Sequence, residues 1–304
     1  MRSGQPLRIR RIGRLILAVP LAGLSVAVLS AQGGEVPHRV VNAAAKRVSD
    51  FDAMLADVAR ADVVFVGEQH QHADTHRLEL ALLEGLARRQ RDVIVALEMF
   101  DRDVQDPLEH FLMGHLTEVE FRAAARPWPR YATDYKPLVD LAIAREWPVV
   151  AANAPRALVE EVARGGLEVL NTKADAERGL VAREIRCPTG DAYFKRFQEA
   201  QGGGAVPVDG AYFAQCVRDE TMGETIAQVL TAGATGDKRP LVVSINGAFR
   251  TAFGQGVVER TRRRLPDKRL LVISIVPVEN LDAVTTEIDD LRADYIVYVR
   301  LKQT

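Results

Sequence analysis

The segment Gly67-Glu-Gln-His-Gln-His-Ala-Asp-Thr-His76 carries three histidines and two carboxylates within ten positions, in a chain that has six histidines in all. Imidazole and carboxylate side chains bind borderline divalent metals and also move protons. Glu68 and His70 are therefore candidates for activating water, and His70 and His76 for ligating a metal. His72 and His76 share one face if a helix has begun by His72. The spacing matches no standard zinc motif. Just upstream, Ala61-Asp-Val-Val-Phe-Val-Gly67 is a β-branched run ended by glycine, which predicts a buried strand with this cluster at its carboxyl end.

Other strand ends carry chemistry as well. Val93 to Leu97 predicts a second strand, followed at once by Glu98. A buried carboxylate without a partner is costly, so Glu98 is expected to be paired, protonated or bound, and is a candidate catalytic group and metal ligand. Asn153 follows a third strand over Pro148 to Ala152, where it either contacts a ligand or caps the next helix. The fourth strand, Leu241 to Ile245, leads into Asn246-Gly-Ala-Phe-Arg250. Glycine there lets the backbone approach a ligand, and Arg250 either offers a forked donor to a ligand carboxylate or is a surface arginine. In Arg126-Pro-Trp-Pro-Arg-Tyr-Ala-Thr-Asp-Tyr135, Tyr131 or Tyr135 is a candidate for holding a flat ligand or ligating haem iron; the alternative is a loop packed on the core. The run Arg260, Arg262, Arg263 and Arg264 reads as a solvated helix end.

The elements that must position these groups alternate. Helical spacing is predicted over Ala73 to Arg89, Val104 to Gly114, Thr117 to Ala125, Pro137 to Arg145, Pro155 to Ala163, Gly210 to Leu230 and Gly256 to Arg264. Further strands are predicted at Leu270 to Val276 and Tyr295 to Val299. On the Gly210 helix, Tyr212, Cys216, Glu220, Gly223 and Ala227 follow one line, so Asp219 or Glu220 lies beside an apolar stripe. The stretch Gly165 to Pro207 is irregular, holds Gly202-Gly-Gly204, and is a candidate lid or insertion. Strands alternating with helices predict a single-domain α/β fold, with a mainly parallel sheet covered by helices on both faces.

Composition sets the context. The 304 residues include 40 basic and 41 acidic side chains, with 47% apolar residues. All charged residues among the first 30 are arginines (Arg2, Arg8, Arg10, Arg11 and Arg14), and the rest of the chain is acidic on balance. Such a body has no global basic field, which argues against nucleic acid as a partner. The basic stretch to Arg14, the apolar run Leu15 to Leu29 and the small residues after it have the plan of a signal peptide. The expected organisation is a signal peptide over 1–30, a flexible start over 31–47 and one α/β domain over 48–304. Localisation is expected to be periplasmic or otherwise exported, with membrane association through an uncleaved N-terminus as the alternative. Cys187 and Cys216 form either a disulfide or two separate buried thiols. No C-x-x-C-H motif for covalent haem attachment is present.

Six pieces in order carry a family resemblance: Val63-Val-Phe-Val-Gly-Glu-Gln-His70 with His76, Ala96-Leu-Glu-Met-Phe100, Tyr135-Lys-Pro-Leu138, Val149-Val-Ala-Ala-Asn-Ala-Pro-Arg156, Arg218-Asp-Glu-Thr-Met222 and Ser244-Ile-Asn-Gly247. Together they resemble the ChaN-like haem-binding uptake family, which is grouped with the Tiki and TraB proteins and the erythromycin esterases. The resemblance implies an α/β fold, export or lipid anchoring, and haem binding linked to iron uptake, with haem pairs held between subunits of a homodimer in some members. It also implies that His70, Tyr131, Tyr135 and Arg250 are the residues to consider for haem. Relatives that are metal-dependent proteases or esterases use the corresponding Gly-Glu-x-His and downstream Glu as site residues. The chain departs from them where a Gly-x-x-His is replaced by Gly247-Ala-Phe-Arg250, since a guanidinium is neither a metal ligand nor a base near neutral pH. It also lacks the lipobox cysteine. The functional expectation is thus an exported haem-binding protein linked to haem or iron uptake. The alternatives are a hydrolase that uses Glu68, His70 and Glu98 with a divalent metal, and a non-catalytic scaffold that retains the cleft.

Overall fold

The period-two alternation of the central strands divides the protein into two apolar layers. Along the strand Val63–Glu68, Val64 and Val66 pack into one core and Val63 and Phe65 into the other. The same parity holds in the strand Val93–Asp101, where Val95 and Leu97 enter the first core and Ile94 and Ala96 the second. Strands buried on both faces in this way are the mark of a parallel sheet flanked by helices. The computed structural model describes residues 36–89, 91–202, 209–236, 238–285 and 291–301. The predicted signal peptide, residues 31–35, and Gly203 and Gly204 of the glycine run lie outside the described residues.

In chain order the elements are β1 (His38–Asn42), β2 (Arg47–Ser49), α1 (Phe51–Val58), β3 (Val63–Glu68), α2 (Ala73–Arg88), β4 (Val93–Asp101), α3 (Gln105–Leu112), α4 (Glu118–Ala125), a π-helical turn (Tyr131–Tyr135), α5 (Lys136–Ala144), β5 (Val149–Asn153), α6 (Arg156–Gly165), α7 (Asp175–Arg178), α8 (Ala192–Ala200), α9 (Asp209–Gly233), β6 (Leu241–Gly247), α10 (Ala248–Thr251), α11 (Val257–Arg264), β7 (Leu270–Val278) and β8 (Tyr295–Arg300). One sheet runs in the order β2-β1-β8-β7-β3-β6-β4-β5. The pairs from β8 through to β5 are parallel, whereas β1 runs antiparallel to both β8 and β2. β2 is thus the edge strand and β1 the second strand in, so residues 38–42 and 47 of the expected flexible start lie in the sheet. Helices α1 to α5 cover the first face, and α9 and α11 the second.

β6 lies between β3 and β4, so the chain reverses its order of filling the sheet beside β3. Open parallel sheets bind ligands outside the strand carboxyl ends at such a reversal. In register, Glu68 of β3 stands opposite Gly247 of β6, and Leu97 of β4 opposite Ile245. Parity then sends Glu68 toward the α2 face and Glu98 toward the α9 face.

The irregular stretch before α9 is anchored to it by a disulfide between Cys187 and Cys216. Tyr193, Phe194 and Phe197 of α8 pack on Tyr212 of α9 as a separate apolar cluster. The arginine run at the end of α11 is not simply solvated. Arg260 is 2% exposed, and Arg263 and Arg264 each reach the buried carboxylate of Glu220 at 2.7 Å. Among the described residues, no helix is long and apolar enough to cross a membrane.

Candidate functional site

Glu68 ends β3 with its side chain wholly buried. One carboxylate oxygen, Oε1, accepts a hydrogen bond from the Tyr135 hydroxyl at 2.9 Å and pairs with Nδ1 of His70. Burial alone would raise the Glu68 pKa, but the bond from His70 and the charge of His76 outweigh it and hold the carboxyl below its usual range. For His70, burial opposes protonation, while Glu68 and then Glu98 favour it more strongly, so its pKa lies above the ordinary imidazole value. The His70 side chain is nevertheless 42% exposed. The Trp128 ring meets it edge-on, with centroids 5.0 Å apart. A Cβ on Gly247 would stand 2.8 Å from His70 Nε2, so glycine is what leaves room for this nitrogen. With Nδ1 held by a carboxylate, Nε2 is the atom left to accept a proton or ligate a metal.

Behind this pair lies a second, buried group. His76, on the first turn of α2, sets Nε2 3.1 Å from the backbone carbonyl of His70 and 3.4 Å from Asp134 Oδ2. Its Nδ1 faces Glu79 Oε2 at 3.0 Å and Glu68 Oε2 at 3.4 Å. Burial, with Glu68 and Asp134 close by, pushes the Glu79 carboxyl well above its normal range. Glu79 carried no motif, and its one sequence signal is a carboxylate three residues after His76 on the face that also buries Leu82, Leu83 and Leu86. His72 does not join His76 on a helical face, because it has an extended backbone and α2 starts only at Ala73.

On the other side of β6, Glu98 is fully engaged. Its Oε2 accepts from the Gly247 backbone N–H at 2.7 Å, and its Oε1 from Arg250 Nε at 2.6 Å. Arg250 Nη1 donates to Asp219 Oδ1 at 2.7 Å, and Tyr193 donates to the other Asp219 oxygen at 2.5 Å. Burial weakens the arginine's hold on its proton, yet Glu98 and Asp219 more than restore it, so its pKa is raised. Asn153 is no helix cap. It donates to the Glu98 carbonyl at 2.9 Å and so braces the end of β4.

Several expectations are corrected by this geometry. Glu98 does not share a metal group with His70 and His76, because its oxygens are taken by Gly247 and Arg250; His76 instead groups with Glu68 and Glu79. Arg250 spends its guanidinium on two buried protein carboxylates rather than offering it to a ligand. Tyr131 and Tyr135 are 1% and 2% exposed, so neither presents its oxygen at the surface. Tyr131 packs edge-on against Phe100 and Phe121, and its hydroxyl has no partner. Of the residues expected to handle haem, His70 alone has an exposed side chain. Tyr193 and Asp219 complete the buried network; an inward-facing position at 219 or 220 was legible, whereas Tyr193 lay in a stretch without periodicity.

Comparison with known proteins adds to this. A sequence model of the family described as "Haem-binding uptake, Tiki superfamily, ChaN" matches residues 54–261. The solved structure described as cofacial haem binding to ChaN of Campylobacter jejuni superposes with a TM-score of 0.64 at 15% identity, covering 87% of this chain and 97% of that one. A MARTX toxin effector domain from Vibrio vulnificus is a more distant match, with a TM-score of 0.42 at 17% identity over 77% of this chain and 37% of the other. Among curated proteins, the chloroplastic RETICULATA-RELATED 5 protein of Arabidopsis thaliana is 24% identical over 241 residues, or 71% of this chain. The chain spans about a third, 31%, of that relative's length.

Proposed function

Because the chain belongs to the haem-binding uptake family of ChaN type in the Tiki superfamily, we propose that it is an exported haem-binding protein linked to haem or iron uptake, with His70 as the iron ligand. The observation that carries this reading is the accessible imidazole of His70, turned by its bond to Glu68 so that Nε2 is the free nitrogen. Histidine with a hydrogen-bonded second nitrogen is a common haem and metal ligand, because the outer partner fixes the ring and makes it more basic. The cradle fits that role, since the missing side chain at Gly247 clears the space beside Nε2. Trp128, edge-on to the imidazole, adds apolar surface for a porphyrin.

In this reading haem is cargo. Glu68 keeps the His70 proton on Nδ1, Tyr135 keeps Glu68 in place, and Trp128 limits rotation of the ring. A surface-facing site on one copy also suits a haem sandwiched against a second copy, so a homodimer is part of the proposal. Export rests on the arginine-rich and then apolar N-terminal stretch. Haemin titration of the purified protein tests the ligand assignment; a shifted Soret band that disappears in His70→Ala supports it, and an unchanged band removes it.

A hydrolase is the second reading, favoured by one observation. A carboxylate-bound imidazole with an open Nε2 is an oriented general base. Glu98, however, is locked to Arg250, so His70 and Glu68 would act without it. Activity against an ester and peptide panel that is lost in His70→Ala would support this reading, and no turnover would remove it.

A further inference from the structure

We propose that Glu68, His76 and Glu79 bind a single borderline divalent cation of the first transition row, buried directly beneath His70. One ligand atom from each of the three residues lies within 4.8 Å of the others, and all three residues are buried. The tautomer of His76 is set by its surroundings. Nε2 stands 3.1 Å from the His70 carbonyl, a group that can only accept, so Nε2 carries a proton. In the neutral ring Nδ1 is then a lone pair, and it faces carboxylate oxygens at 3.0 and 3.4 Å. Three potential ligand atoms turned toward one another in a buried space call for a proton or a cation among them.

A proton and a metal ion differ in what they leave unsatisfied. A proton, whether on Nδ1 or on the Glu79 carboxyl, serves one acceptor oxygen at a time. Glu68 Oε2 and Glu79 Oε1 are both buried without a hydrogen-bond partner, although the two side chains are 0% exposed. A cation among the three residues would engage Glu68 Oε2 together with the Glu79 carboxylate and the imidazole. One nitrogen with two carboxylates suits zinc, manganese or ferrous iron better than calcium or magnesium, which favour all-oxygen shells. The outer partners that hold metal-ligating residues in position are present too. The His70 carbonyl fixes His76, while Tyr135 and His70 hold the other oxygen of Glu68. The ion would therefore stiffen the carboxylate that orients His70, which makes it a structural centre rather than a reacting one. This inference stands whether or not haem binds.

The test uses the purified full chain, dialysed against a chelator and titrated with Co2+ while its visible absorption is followed, and then with Zn2+ in competition. The expected result is one equivalent of Co2+ per chain with a ligand-field spectrum, displaced by Zn2+, and a higher Tm in the zinc form. Glu79→Gln and Glu68→Gln, each checked for folding by circular dichroism, should weaken Co2+ binding at least tenfold, whereas His72→Ala should leave it unchanged. Absence of stoichiometric binding to the wild-type chain overturns the proposal. So does affinity that survives in a folded Glu79→Gln variant or is lost in His72→Ala. Should neither carboxamide variant fold, X-ray absorption of the zinc-loaded wild-type chain decides. One imidazole nitrogen and carboxylate oxygens at about 2.0–2.2 Å support the site, and a shell with several imidazoles overturns it. Haemin titration of the same chelator-treated sample is a separate readout, so failure of the ion site leaves the haem reading to its own test.

Discussion

Arg250 and Glu98 form a buried ion pair at 2.6 Å, in the place where a second histidine was anticipated from the relatives. The guanidinium also holds Asp219 at 2.7 Å, so one arginine bridges two carboxylates that are far apart in the sequence. Glu98, set by β4, and Asp219, set by α9, are thereby tied to α10, the short helix that follows β6.

This linkage predicts a large effect of Arg250→Ala. Removing one member of a buried ion network leaves uncompensated charge and costs about 3–5 kcal/mol. Urea denaturation should show that loss. Arg250→Lys should recover only part of it, because a single ammonium cannot reproduce the two-sided fork. A shift below 1 kcal/mol for Arg250→Ala would mean that the pair carries little of the stability.

The two tyrosines should behave oppositely. Tyr135→Phe removes the donor to the buried Glu68 carboxylate and should cost about 1.5–3 kcal/mol, the range for hydrogen bonds to charged groups. Tyr131→Phe deletes a buried hydroxyl that has no partner, so denaturation should show it neutral or slightly stabilised. Neither change removes the haem ligand proposed here, and loss of the haemin spectrum in a folded Tyr131→Phe variant would refute the assignment to His70.

These two residues also mark the limit of what the sequence discloses. Apolar runs such as Val63 to Val66 announce central strands, but the register of β3 and β4 on β6, visible only in the fold, is what separates Glu68 from Glu98 across the sheet. Strands β1 and β2 escape notice because they are short: β1 has only Val40 and Val41 as buried residues, and β2 spans three residues, none of them buried. Tyr131 and Tyr135 look like loop aromatics after two prolines, and no local pattern tells a presented ring from one folded inward by a π-helical turn. Glu79 is hidden for a related reason. A carboxylate on the buried face of a helix declares itself only when its partner, the end of β3, is known in space.

Gly247→Ala should separate folding from binding. The added methyl would stand 2.8 Å from His70 Nε2 and 3.0 Å from Cε1, so the imidazole must move. Haemin affinity should fall about tenfold or more, equivalent to at least about 1.4 kcal/mol, while circular dichroism stays unchanged. Wild-type affinity in this variant would place the haem away from Nε2.

The Cys187–Cys216 disulfide closes a sequence separation of 29 residues and anchors the segment before α9 to that helix. Reduction should lower stability by about 2–4 kcal/mol, mainly through the greater freedom of the unfolded chain. Limited proteolysis with and without reductant should place the newly exposed cleavage sites between residues 166 and 202. An identical digestion pattern would show that packing alone holds this segment.

The most direct test of the central claim is a haemin titration of the purified protein lacking residues 1–30, followed by absorption spectroscopy, beside His70→Ala. The account predicts saturable binding with a distinct Soret band in the wild-type protein and its loss or displacement in the folded variant. A titration indistinguishable from free haemin, or an identical band in His70→Ala, would contradict it.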